Sequence, residues 1–242
     1  MIKGLIFDIN GTLTDILTDE NSYDIYRTTA NFLDYYGVKI APDRLKQLYN
    51  EYNREQRSTS KEEFPEFDIS DIFYRIILDF KTRRIDNLRL LADTASIVFR
   101  AAGRYKLECY PGVRDVLTEL SMQYRMGAVS DGQQLWGEPE LYSAGLQDYF
   151  SAVVISGDLG YRKPDRRIFE RALDAMQLFA DEVIFIGNDM YRDIYGAKNA
   201  GMKTVLYKSN QGDHHYNGVN ADYIIYNFNE LPRAIEFLTA DQ

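Results

Sequence analysis

The sequence predicts an α/β protein in which a parallel sheet flanked by helices is interrupted near its start by an all-helical insertion. Three observations carry this expectation. One strand-like run opens the chain, a long block with only helical periodicity follows, and short apolar runs then alternate with helical stretches to the end.

The first run, Ile2 to Phe7, is almost wholly apolar and stops at Asp8, with Gly11 shortly after. That is the pattern of a buried strand delivering an acid to its carboxyl end. From about Asp19 to Arg104 apolar residues recur at helical spacing, as in Tyr26, Ala30 and Leu33, then Ile72, Ile76 and Phe80, then Leu91, Ala95, Val98 and Ala102. Gly37, Pro42 and Pro65 break the block, and Asp68 or Ser70 is placed to cap the helix containing Ile72. After Pro111-Gly112, strands are expected at Met126–Val129, Val153–Ile155, Val183–Ile186, Thr204–Tyr207 and Tyr223–Ile225, with helices between most of them. Parallel strands require crossovers, so alternation of this kind joins the first strand to the later ones in a single sheet. Residues 1–15 and 109–242 are then the core, and 16–108 a helical cap.

Composition narrows the function. The 242 residues are 45% hydrophobic and 27% charged, the balance of a globular chain, and the formal net charge is −9. Such a field repels phosphate backbones, which argues against a nucleic-acid partner, and Lys81, Arg83 and Arg84 read as a solvated helix end. Cys109 is the single cysteine, so no intramolecular disulfide forms, and it is expected as a small buried hydrophobe. The opening apolar run is too short for a signal segment or a membrane span, which makes a cytoplasmic protein with no membrane partner the expectation.

In open parallel sheets ligands bind beyond the carboxyl ends of the strands. The residues there are Asp8, then Ser130 and Asp131, then Lys163 in Gly160-Tyr161-Arg162-Lys163-Pro164, then Gly187, Asn188 and Asp189, with Asp193 a turn further on. Asp8, Asp189 and Asp193 would repel one another unless a cation sat among them, and Mg²⁺, which takes few carboxylates and keeps waters, suits so spare a set. Lys163, the hydroxyls of Ser130 and Thr12, and the backbone N–H groups of the Gly11-Thr12 turn are placed to hold a phosphoryl group. Asp131 reads as a turn former or hydroxyl ligand at that phosphate. An Asp8 oxygen would then attack phosphorus in line, giving an aspartyl-phosphate that water hydrolyses. Asp15 reads as a hinge or turn, and His214 and His215 belong to a solvated loop between Ser209 and Asn220.

The run Asp8-Ile9-Asn10-Gly11-Thr12-Leu13-Thr14-Asp15 resembles the first motif of the haloacid dehalogenase superfamily. Ser130 resembles the second, Lys163 in Arg-Lys-Pro-Asp the third, and Gly187-Asn188-Asp189-Met190-Tyr191-Arg192-Asp193 the fourth, all in family order. The resemblance implies a Rossmann-like core, a helical cap after the first motif, and Mg²⁺-dependent hydrolysis of a small phosphorylated metabolite. It makes Asp8 nucleophile and metal ligand, the Asn10 main-chain carbonyl a metal ligand, Ser130 and Lys163 phosphate-binding, and Asp189 with Asp193 the rest of the metal site. The fourth motif has two registers, one using Asn188 and one using Asp189, of which Asp189 is expected to be the closer ligand.

One position departs from the pattern. Phosphatases of this family carry an aspartate where this chain has Asn10, and asparagine has no carboxyl proton to give a leaving group. Three readings follow: a slow phosphatase, a metal- and phosphate-binding protein without catalysis, or a 2-haloacid dehalogenase, whose halide departs unprotonated and which needs no metal.

Overall fold

The structure, a computed structural model, describes residues 1–240. Strands β1 (Gly4–Phe7) and β2 (Thr14–Thr18) are followed by helices α1 (Tyr23–Tyr35), α2 (Pro42–Thr59), α3 (Ile69–Phe80) and α4 (Leu88–Gly103), and then by β3 (Arg104–Cys109). The remainder alternates: α5 (Val113–Ser121), β4 (Arg125–Ser130), α6 (Gln134–Ser143), β5 (Ala152–Ile155), α7 (Arg166–Met176), β6 (Val183–Gly187), α8 (Gly196–Asn199), β7 (Lys203–Tyr207), β8 (Tyr223–Ile225) and α9 (Leu231–Ala240).

Six strands form one sheet in the order β5-β4-β1-β6-β7-β8, with every pairing parallel. All six expected strands are present and their bounds agree with the sequence to within a residue or two. β1 is paired on both edges and covered on both faces, which is why its sequence is a continuous apolar run without alternation. Its faces are nonetheless distinct: Leu5 and Phe7 join the layer that contains Val113 and Leu231, whereas Ile6 joins the layer built on Phe169 and Phe185. The chain winds outward from β1 through β4 to β5, and in the opposite direction through β6, β7 and β8. The reversal opens a crevice at the carboxyl end of β1.

Between β2 and β3 lie only helices, and these share a core of their own around Tyr26, Tyr49, Phe73 and Phe99. α2 is the helix that the sequence marks least, because only Leu45, Leu48 and Tyr49 of its residues are buried. Asp68 caps α3, accepting from Asp71 N at 3.0 Å. The chain enters and leaves this block through an antiparallel ribbon that pairs Asp15 with Glu108, so both expected domain boundaries fall inside β2–β3. Asp15 is therefore a ribbon residue, held by Lys106 at 2.6 Å and by Gln211 at 2.8 Å. Cys109 ends β3 half-buried, with Sγ 3.5 Å from the Ala144 carbonyl; the short ribbon leaves part of it uncovered, so the expected full burial does not hold.

The loop joining α2 to α3 is clipped onto the sheet's carboxyl rim. Glu66 N donates to Gly160 O at 2.9 Å and Arg162 N to Phe64 O at 3.0 Å. From the other side the buried Gln133 amide accepts from Ile69 N at 3.1 Å and donates to Phe67 O at 2.7 Å. Gln133→Ala would strand a buried N–H and a buried C=O at once, a loss of about 2 kcal/mol by the usual cost of such groups. Urea unfolding reads that loss, and a change below about 0.5 kcal/mol would show that the rim does not depend on Gln133. Trp136, beside it, belongs to the helical core and donates Nε1–H to Ser96 Oγ at 3.0 Å. Among the described residues no helix is long and apolar enough to cross a membrane.

Candidate active site

Four chain segments meet at the carboxyl ends of β1, β4 and β6 and in the loop after β5. Lys163 joins them: its Nζ lies 2.5 Å from Asp8 Oδ1 and 2.7 Å from Asp193 Oδ1, and donates to Val129 O at 3.3 Å. All three charged side chains are buried, with 2%, 7% and 2% of the Lys163, Asp8 and Asp193 side chains exposed. Burial alone would strip the Lys163 proton, but Asp193, Asp8 and Asp131 together outweigh it and hold the ammonium firmly protonated. Burial raises the Asp193 carboxyl to about 6 against the pull of Lys163, and the Asp8 charge adds to the rise.

Asp193 also organises the turn after β6. Its Oδ2 accepts from Asn188 N and Asp189 N, each at 3.0 Å. That approach requires glycine at position 187, where a Cβ would overlap the Asp193 side chain. A single π-type turn, Met190–Tyr195, follows. It sets which of the neighbouring acids reaches Lys163: Asp193 does, and Asp189 does not. Asp189 Oδ1 accepts from Tyr191 N and Arg192 N at 3.1 and 2.8 Å, and Oδ2 accepts from Arg192 Nη2 and Asp213 N at 3.0 and 3.3 Å. Burial opposes ionisation of Asp189, yet these donors prevail and its carboxyl lies below the usual range. The residue beside the first motif is instead Asn188, whose Oδ1 is 3.2 Å from Thr12 Oγ and whose amide packs on Gly11.

The first motif folds back on itself. Gly11 adopts φ +91°, and its N–H donates to Thr14 O at 2.7 Å, while Thr12 N donates to Ile9 O at 3.3 Å. The N–H groups expected to face a phosphate are thus used inside the turn, because closing so tight a loop leaves them no other direction. Thr12 Oγ donates to Asp8 Oδ2 at 2.8 Å, which turns this expected phosphate ligand into a support for the acid. Asn10 Oδ1 accepts from Thr14 Oγ at 3.0 Å, and its main-chain carbonyl takes no backbone hydrogen bond among the described residues.

Ser130 is buried, and its Oγ makes only a 3.4 Å contact with the Asp131 carbonyl. Asp131 Oδ1 accepts from Lys163 N at 3.0 Å, so it braces the lysine loop. Its Oδ2 is buried without a hydrogen bond, 3.8 Å from Arg192 Nη1, and burial pushes its carboxyl up. Asn10, Ser130, Asp131 and Arg192 all line a cavity of about 340 Å³ between the sheet rim and the helical block. A larger hollow, about 700 Å³, lies against β5 and α7 and touches none of Asp8, Ser130, Lys163 or Asp193.

The haloacid dehalogenase-like hydrolase family matches residues 5–207 of the chain, across all four segments. The chain belongs to that family. Two similar proteins are glyceraldehyde 3-phosphate phosphatases: that of Pyrococcus abyssi is 31% identical over 86% of this chain and 82% of its own, and that of Pyrococcus furiosus is 30% identical over 98% and 93%. Among solved structures, a 2-haloacid dehalogenase from Pseudomonas syringae pv. Tomato DC3000 superimposes with a TM-score of 0.71 at 25% identity, covering 98% of this chain and 100% of that one.

As a haloacid dehalogenase-like hydrolase, the chain brings Asp8, Lys163 and Asp193 into direct contact, sets Thr12 on Asp8, and puts Asn10, Ser130 and Asp131 at the cavity wall. Asp189 is held by Arg192 and the backbone of its own turn and makes no contact with Lys163. Sequence reasoning missed Arg192, which sits among the acids: burial works against its charge, but Asp189, Asp193, Asp8 and Asp131 more than restore it. Its place inside the fourth motif was the available signal. The stretch after Ser209 is a largely exposed loop as expected, with His215 exposed and His214 half-buried, and it is tied to the site where Met190 N donates to Asp213 O at 2.6 Å and Tyr110 bonds Asn210.

Proposed function

We propose that this hydrolase cleaves small phosphate monoesters through an aspartyl-phosphate on Asp8. What carries the reading is the buried Lys163 ammonium shared by Asp8 and Asp193 beside the cavity, in a chain similar over nearly its whole length to proteins named as phosphatases. An Asp8 oxygen attacks phosphorus as the bond to the ester oxygen breaks. Lys163 and Ser130 hold the phosphoryl oxygens, with Lys163 giving up part of its contact with the carboxylates. Thr12 orients the attacking carboxylate. Water then cleaves the aspartyl-phosphate and returns Asp8. Asn10 supplies no proton to the departing oxygen, so esters with good leaving groups are cleaved fastest.

The donor set fits a hard cation that retains waters. Four carboxylates, Asp8, Asp131, Asp189 and Asp193, face two cationic side chains, Lys163 and Arg192, which leaves negative charge in excess. Among the described residues no three acids close into a cage. Mg²⁺ suits such a site, with Asp8, the Asn10 carbonyl and the Asn188 amide oxygen as ligands and Asp193 ordering the turn behind them. When bound, it offsets the charge of the acids and of the phosphoryl group. With p-nitrophenyl phosphate, chelation by EDTA should lower phosphate release at least about 100-fold and added Mg²⁺ should restore it; release that ignores EDTA would remove the metal from the proposal.

A second reading is favoured by Asn10 together with the structural similarity to a 2-haloacid dehalogenase. Halide release from 2-chloropropionate separates the two, since the phosphatase reading expects none. Release of neither product would leave a binding protein.

A further inference from the structure

Four guanidinium groups line the cavity: Arg57, Arg100, Arg162 and Arg192. Three are committed within the protein. Arg57 pairs with Glu66 at 3.2 Å and donates to Pro65 O at 3.0 Å. Arg100 grips both oxygens of Glu140, at 2.7 and 3.1 Å, and Arg192 holds Asp189 at 3.0 Å. Arg162 alone has neither a carboxylate within 4.0 Å nor a side-chain hydrogen bond among the described residues. Nearby acids are not free to serve it. Glu66 is taken by Arg57, Phe67 N and Ser156 Oγ, and Glu20 accepts from the Tyr49 hydroxyl at 3.0 Å.

Arg162 is nevertheless firmly placed. Its N–H donates to Phe64 O, its carbonyl accepts from Asp165 N at 3.0 Å, and the preceding Tyr161 forms a bridge with Pro65. It is half-buried, and the Glu66 carboxylate is near enough to feel its charge, but that carboxylate's hydrogen bonds go to Arg57, Phe67 N and Ser156, so the N–H groups of the Arg162 guanidinium are left without an acceptor among the described residues. Next to it in the chain stands Lys163, whose ammonium meets Asp8. Arg162 and Ser130 line the same cavity of about 340 Å³, so a small molecule whose phosphoryl group is held at Ser130 and Lys163 has its far end within that cavity, where the Arg162 guanidinium stands.

We propose that Arg162 is a distal anion clamp and that the substrates are short phosphate monoesters bearing a carboxylate, which a guanidinium grips through two parallel N–H bonds. The proposal rests on the phosphatase reading and adds the substrate class to it. The test compares 3-phosphoglycerate with glyceraldehyde 3-phosphate, which differ in having a carboxylate or an aldehyde at the far end. In Mg²⁺-loaded wild-type protein, kcat/KM should favour the carboxylate at least about tenfold, and Arg162→Gln should reduce that ratio about tenfold or more, chiefly through KM. Arg162→Lys should retain part of it. A wild-type ratio of one or less overturns the clamp even if Arg162→Gln does not fold, and so does a ratio that stays within about threefold in a folded Arg162→Gln. If p-nitrophenyl phosphate is cleaved while the ratio is one, the clamp fails alone; if p-nitrophenyl phosphate is not cleaved, both proposals fall.

Discussion

Asp8→Asn is expected to lower phosphate release from p-nitrophenyl phosphate by at least about 10³-fold while leaving the protein folded, because removing a nucleophile forfeits the covalent route and leaves only binding and electrostatics. The side chain is nearly isosteric, and the amide retains an oxygen for Lys163 Nζ, which sits 2.5 Å from the present carboxylate, or for the Thr12 hydroxyl at 2.8 Å. Lys163 would keep its second acid, Asp193, at 2.7 Å, so no buried charge is left without a partner. Loss of activity with an unchanged thermal midpoint therefore separates chemistry from folding. Rapid acid quench of the wild type, followed by mass analysis, should find a phosphoryl group on the peptide containing Asp8 and none in the variant. Retention of more than about a tenth of the wild-type rate by Asp8→Asn would end the nucleophile assignment.

The sequence announced the sheet and the identity of the acids because both are local. A parallel strand buried on two faces must read as an apolar run, and the polar residue that ends it marks the rim. The β2–β3 ribbon carries no such mark. Its strands include Asp15, Arg104, Lys106 and Glu108, only Thr14 of their residues is fully buried, and the pairing of Asp15 with Glu108 joins parts of the chain that the whole helical block separates. α2 was faint for a related reason, having few buried positions over its length. Within the site, spacing alone left Asn188, Asp189 and Asp193 as rivals. Which of them faces Lys163 depends on the π-type turn and on Arg192 drawing Asp189 aside, neither of which a residue pattern specifies. The commitments of Arg57, Arg100 and Arg192, which single out Arg162, are likewise contacts between distant or turn-specific positions.

Asn10→Asp should act in the opposite sense and raise turnover, by about 10²-fold on alkyl phosphates, at the lower end of what general acid–base catalysis supplies. Asn10 already stands at the cavity wall, and its Oδ1 accepts from Thr14 Oγ at 3.0 Å, a bond that an aspartate would keep. The new carboxyl would sit near Asp8, whose charge raises its proton affinity and so helps it stay protonated until the ester oxygen needs a proton. The gain should depend on the leaving group. An alkoxide departs poorly without a proton and benefits fully, whereas p-nitrophenolate is stable as the anion and benefits little. The measurement is thus kcat on ethyl phosphate and on p-nitrophenyl phosphate, for both proteins, with Mg²⁺ present. A rise on ethyl phosphate that exceeds the rise on p-nitrophenyl phosphate assigns the missing step to proton donation. Equal changes on the two esters would mean that the substitution altered the site in another way, and no change on either would mean that proton transfer to the leaving group does not limit this enzyme.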